Sequence, residues 1–161
     1  MIYPFVAALV GVYFESTLPD WLCLAGRKPD LTLSFCIAVS AFHGPYRGAV
    51  LGGFAGTVID AMMGRYVGAN ALSFACACLV VGWLARDYLR VSPLLGMSCG
   101  LIGGAMKHAL QAVALRTGGL VVPFTTVLGT VIIGSLWNCL LVPVWLRMVQ
   151  WFEEKRDAGR K

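Results

Sequence analysis

HGPYRGAVLGGFAGTVIDAMMGRYVG, residues 43–68, sets glycine at 44, 48, 52, 56, 64 and 68 and puts Asp60 into the four-residue series where the next glycine would stand. Residues four apart on an α-helix advance about 400°, slightly more than one turn, so Gly48, Gly52 and Gly56, with Gly53 beside them, form a slowly winding strip without side chains. Lipid tails are as apolar as leucine, and helices in a bilayer therefore associate through close backbone approach and interhelical hydrogen bonds. The stretch reads as a membrane helix carrying a packing rail, with Asp60 as its one polar point.

The surrounding composition agrees. The chain is 58% hydrophobic and 13% charged, whereas a soluble domain has about 25% charged residues; mean hydropathy is +0.76. Apolar runs of roughly 20 residues, each able to cross about 30 Å of hydrocarbon, recur along most of the length. This predicts an all-α fold, a polytopic membrane bundle of about six transmembrane helices, over roughly 2–18, 30–43, 46–63, 68–85, 93–115 and 121–147. Residues 1–150 make one transmembrane domain and 151–161 a short charged tail. The first segment lacks the basic leader and cleavage site of a secretory signal and is read as an uncleaved span. Segment 30–43 would give only about 21 Å of helix, so it recruits flanking residues, crosses a thinned region or stays partly buried in protein. Pro29 and the pair Gly44–Pro45 mark its ends.

Basic residues set the orientation, because short cytoplasmic connections carry the excess of Lys and Arg. With an even number of spans and both termini inside, Arg47, Arg86, Arg90, Arg147, Lys155, Arg156, Arg160 and Lys161 are cytoplasmic, and only Arg27, Lys28, Arg65 and Arg116 lie outside. This implies a multi-pass protein of a cytoplasmic membrane with its C-terminus in the cytoplasm. The net charge of +5, concentrated near the C-terminus, suits lipid headgroups rather than nucleic acid. The cysteines lack zinc or redox spacing and read as small buried hydrophobes. No nucleophile–base spacing, carboxylate pair or phosphate loop is visible, so neither catalysis nor a cofactor or metal is expected.

Three polar groups fall inside predicted spans: Asp60, Lys107 and His108. A lysine at the centre of a span costs about 2.5–3.5 kcal/mol, nearly cancelling the aliphatic residues around it. Asp60 and Lys107 both lie past the midpoints of outward-running spans, which predicts an Asp60–Lys107 pair. The alternative has Lys107 snorkelling to water and Asp60 capping a helix end. His108 faces about 100° away from Lys107 and meets a different neighbour. Glu15 is expected to reach the headgroups, Ser135 and Asn138 to hydrogen-bond across a helix pair, and Pro143 to bend or end the last segment. A second glycine strip, Gly96, Gly100 and Gly104, matches the first at a shift of 48 residues, with His108 aligned on Asp60. Each strip serves either packing within the bundle or docking of another protein's helix.

The order "KPDLTLSF", "HGPYRGAVLGGFAGTVIDAMMG", "VGANALSFACACLVVGWLA" resembles the rod shape-determining MreD family of bacteria. The likeness lies in Pro29 and Asp30 opening the second span, the Gly44–Pro45 turn, the glycine-rich third span ending in Asp60, and the element Gly68, Asn70, Ala71, Leu72. It covers about residues 28–86; "GAMKHALQ" in the fifth span departs from the acidic residue common there. The resemblance implies a non-catalytic inner-membrane scaffold of the cell-elongation, peptidoglycan-synthesis machinery. It would partner the bitopic protein MreC and, through it, MreB, RodA and a class B penicillin-binding protein. The family is also similar in fold to the substrate-binding subunits of energy-coupling-factor transporters, so the alternative is a subunit binding a vitamin-like small molecule.

Overall fold

Glycine and proline place the helix ends. Gly44 takes φ +99° and closes α2 through its N–H to the Ser40 carbonyl, 2.9 Å away. Its own carbonyl receives the Gly48 N–H at 3.2 Å, and Pro45 at the first turn of α3 has no N–H to satisfy. Gly64, in the left-handed region at φ +60°, ends α3 in the same way on the Asp60 carbonyl. The computed structural model describes residues 2–17, 28–64, 68–88, 93–119 and 123–158. These form α1 (Ile2–Thr17), α2 (Leu31–His43), α3 (Pro45–Met63), α4 (Ala69–Tyr88), α5 (Pro93–Thr117) and α6 (Phe124–Ala158).

The short second segment is the centre of the fold. Every residue from Thr32 to Ser40 is buried, and α2 packs against all five other helices. A helix apolar on all sides needs such an enclosure. Its polar side chains are satisfied locally: Ser34 donates to the Leu31 carbonyl at 2.8 Å, and Ser40 donates across to the Cys78 carbonyl of α4. Around α2, α3 pairs with α4 and α5 with α6 as hairpins, while α1 rests on α2 and α3.

Both glycine strips face inward. A Cβ on Gly52 would stand 2.9 Å from the Cys78 sulfur, and one on Gly56 2.5 Å from the Ala71 Cα, so the first strip carries α4. Gly48 lies against Ser40 of α2. On α5, a Cβ at Gly96 would meet Leu146 at 2.8 Å, and one at Gly104 would meet Asn138 Nδ2 at 2.8 Å; Gly100 lies against the Asn138 backbone. Docking of a foreign helix on either strip is thus replaced by packing within the chain. Gly53 is different, since its added Cβ would meet only Ala75 Cβ at 3.7 Å. Gly56→Ala is expected to lower stability by about 1–3 kcal/mol through overpacking. Gly53→Ala should be neutral or stabilise by up to about 1 kcal/mol through helix propensity. Unfolding midpoints of the two variants in detergent micelles check the contrast.

The last helix differs most from expectation. Pro143 lies within α6, which continues to Ala158, so residues 151–158 of the charged C-terminal stretch are helical. At about 1.5 Å per residue this helix is about 52 Å long. Its far end is tied back to α2 by His43 Nε2 and Glu153 Oε1, 3.2 Å apart. Among the described residues two helices, α4 over Ala69–Arg86 and α6 over Phe124–Lys155, are long and apolar enough to cross a membrane, and α2 is a shorter apolar helix. In α3 and α5 the packing glycines and the interior charges dilute the hydropathy.

Candidate functional site

The interior holds two polar centres. The first is built on Asp60, 1% exposed near the end of α3. Its Oδ2 accepts the Gly68 N–H at 2.9 Å and the Ala71 N–H at 3.1 Å. Its Oδ1 accepts the Asn70 N–H at 3.2 Å and the Asn70 side-chain amide at 2.9 Å. The first N–H groups of a helix have no partner within it and carry the positive end of its dipole. A carboxylate from α3 therefore caps α4, and Gly68, at φ +101°, gives the entering chain the conformation that aims its N–H at the acid. The capping alternative holds for Asp60, and the residues from Asp60 to Ala71 act as one unit.

The second centre joins α1, α2 and α5. Lys107 Nζ donates to Asp30 Oδ2 at 2.7 Å, with side-chain exposures of 7% and 16%. His108 Nε2 stands 3.3 Å from the same oxygen. Lys107 also lies over the Phe74 ring, 5.6 Å from its centroid. The expected Asp60–Lys107 pair is thus corrected: Lys107 takes Asp30, and Asp60 is committed to the α4 cap. Snorkelling is excluded for Lys107 as well, since its ammonium is held inside. The two basic neighbours do not diverge to separate partners as their 100° offset suggests, because Asp30 lies between them. Gly134 on α6 leaves the space that the His108 ring fills.

Glu15 belongs to this centre rather than to the surface. Its Oε2 accepts the Thr32 hydroxyl at 2.7 Å and the Thr32 N–H at 3.1 Å, so α1 caps the start of α2. Asp30, at the N-cap position itself, makes no capping bond because its carboxylate is turned to α5. Among the described residues no three His, Cys, Asp or Glu side chains are arranged to hold a metal ion.

Ser135 and Asn138 do not bond across helices. Ser135 donates to the Val131 carbonyl and Asn138 Nδ2 to the Gly134 carbonyl at 3.0 Å, both within α6. Asn138 is fully buried and its Oδ1 has no donor. Outside this core, an apolar groove of about 270 Å³ lies between α5 and α6, lined by Leu101, Ala105, Val131, Ile132, Ser135 and Leu136. Pro29 is buried just before Asp30, and Gly44, Pro45, Gly68 and Asn70 occupy the turns already described. The positions in the 28–86 pattern thus shape two helix starts and two turns.

Sequence reasoning missed Glu15 and Asp30 as interior groups. The available signal was that Asp30 opens the short segment on the same side as the buried lysine, the side at which the first span ends with Glu15.

Compared with family models, with curated proteins and with solved structures, the chain matches none.

Proposed function

We propose that this chain is a multi-pass integral membrane protein whose six helices all lie in the bilayer, and that it serves as a non-catalytic scaffold of the bacterial cell-elongation complex. The observation that carries the membrane reading is an inside-out arrangement. Val10, Phe14, Val50, Trp83, Leu140 and Val144 are exposed on four of the helices. Asp60, Asn70, Lys107, His108 and Asn138 are buried among them. In water such a surface would be an aggregation liability, whereas in lipid it is the solvated face. Helices too short or too glycine-rich to span alone are accommodated when neighbours enclose their polar groups.

The elongation-complex reading rests on the resemblance to the MreD family carried by Pro29, Asp30, Gly44, Pro45, Gly68 and Asn70. The inward glycine strips shift the docking role to the outward faces, where a helix of an MreC-like bitopic partner would lie beside membrane lipids. The vitamin-binding alternative gains little from the α5–α6 groove, which offers one hydroxyl, already bonded, to orient a polar ligand. Purification from the native membrane in mild detergent tests the proposal. A co-eluting bitopic protein with no retained small molecule is the expected result, and a bound vitamin or a co-purifying ATPase module would overturn it.

A further inference from the structure

We propose that the outward face of the last turns of α6 binds an anionic phospholipid, with Arg147 and Lys155 holding its headgroup on either side of Trp151; this rests on the membrane reading above. Residues four apart on a helix advance about 400° and about 6 Å, so Arg147, Trp151 and Lys155 form a strip over successive turns that drifts by about 40° a turn. All three are exposed. The opposite face of the same turns packs on the bundle. There Val142, Leu146 and Val149 are buried and Glu153 is turned to His43 of α2; these four lie about 160–220° around the axis from Trp151. Glu153 thus faces inward and the two cations face out. The exposed Glu154 lies about 60° from Trp151, on the side away from Lys155.

Two observations point to a lipid as the occupant. Lys155 does not extend into water: its ammonium lies over the Trp151 ring, 4.1 Å from the centroid, and Trp151 meets Phe152 edge-on with centroids 5.2 Å apart. A cation held on an aromatic surface is kept at the boundary between the hydrocarbon and its headgroups. The depth agrees. From the exposed Phe124 at its start to Trp151, α6 rises about 40 Å, the thickness of a bilayer with its headgroup regions. With Phe124 at one boundary, Trp151 stands among the headgroups of the other, where aromatic rings settle. Arg147, one turn deeper, snorkels toward the same level. A phosphate there meets a guanidinium fork from below and an ammonium from above. A zwitterionic lipid brings its own cation to that phosphate, whereas an anionic lipid leaves it to the protein.

Native mass spectrometry of the protein released from micelles tests the site by titration with phosphatidylglycerol and with phosphatidylcholine of the same chains. The first phosphatidylglycerol should bind about 5–30-fold more tightly, at about fivefold for each cation it meets. Arg147→Gln and Lys155→Gln should each lower this preference about fivefold. Arg47→Gln removes an exposed cation from α3 at the same end of the bundle and should keep it, since α3 does not touch α6 among the described residues. Equal losses in all three variants would make the preference a matter of net charge and overturn the proposal, as would equal affinity for the two lipids. So would release of the bound lipid by millimolar inorganic phosphate, because the ligand would then be a free anion. A chain that stays monodisperse in buffer without detergent would overturn the membrane reading itself.

Discussion

Lys107→Met is expected to destabilise the bundle by about 3–5 kcal/mol, because it leaves the Asp30 carboxylate buried without its ammonium partner. The Asp30→Leu change alone should cost a similar amount by stranding Lys107 beneath the Phe74 ring. In the double variant Lys107→Met/Asp30→Leu neither charge remains, and most of the loss should be recovered, since replacing a whole buried pair by apolar groups is often neutral. Unfolding midpoints of the four proteins in micelles form a double-mutant cycle that isolates the coupling. A double variant whose loss equals the sum of the two single losses would mean that the two residues act independently, contrary to their 2.7 Å contact.

Asp60→Ala should have an effect of the same order, about 3–5 kcal/mol, for a different reason. It leaves the Gly68, Asn70 and Ala71 N–H groups and the Asn70 amide without their acceptor, and a hydrogen bond to a charged group contributes about 1.5–3 kcal/mol. The losses do not add in full, because the freed turn can shift toward other acceptors. Asn70→Ala removes only one side-chain donor and should cost about 1–2 kcal/mol. Asp60→Asn should fall between them, keeping one acceptor oxygen while turning an amide N–H₂ toward backbone donors. The ranking Asp60→Ala, Asp60→Asn, Asn70→Ala, in decreasing loss of unfolding midpoint, is the measurable outcome.

Much of the helix order was legible because hydropathy, glycine and proline act locally. Gly44–Pro45 and Gly64 end helices through backbone conformation, which neighbouring residues alone determine. The glycine strips announced flat faces, but not what lies on them; periodicity identifies a side of a helix and says nothing of its neighbour. The partner of Lys107 illustrates the gap, since Asp30 is 77 residues away along the chain. Charge alone makes Asp60 the counter-ion of Lys107, yet the turn at Gly68 brings four donors to it first. Glu15 near a helix end points to the surface; the start of α2 stands beside that end and supplies both Thr32 donors. Pro143 predicts a bend or an ending, and it lies inside α6, which runs on to Ala158. Function is less legible than fold, because the residues from Pro29 to Asn70 that carry the resemblance visibly begin helices and turn corners.

The central position of α2 has a consequence for biogenesis. This helix is made after α1 and before α3, yet the surfaces that enclose it are supplied by elements made before and long after it, as far as α6. Translation order and assembly order therefore cannot coincide. The segment stays incompletely wrapped until α6 is synthesised, because α6 is one of the helices that enclose it. A nascent chain stopped before α6 would have most of its residues and no finished centre.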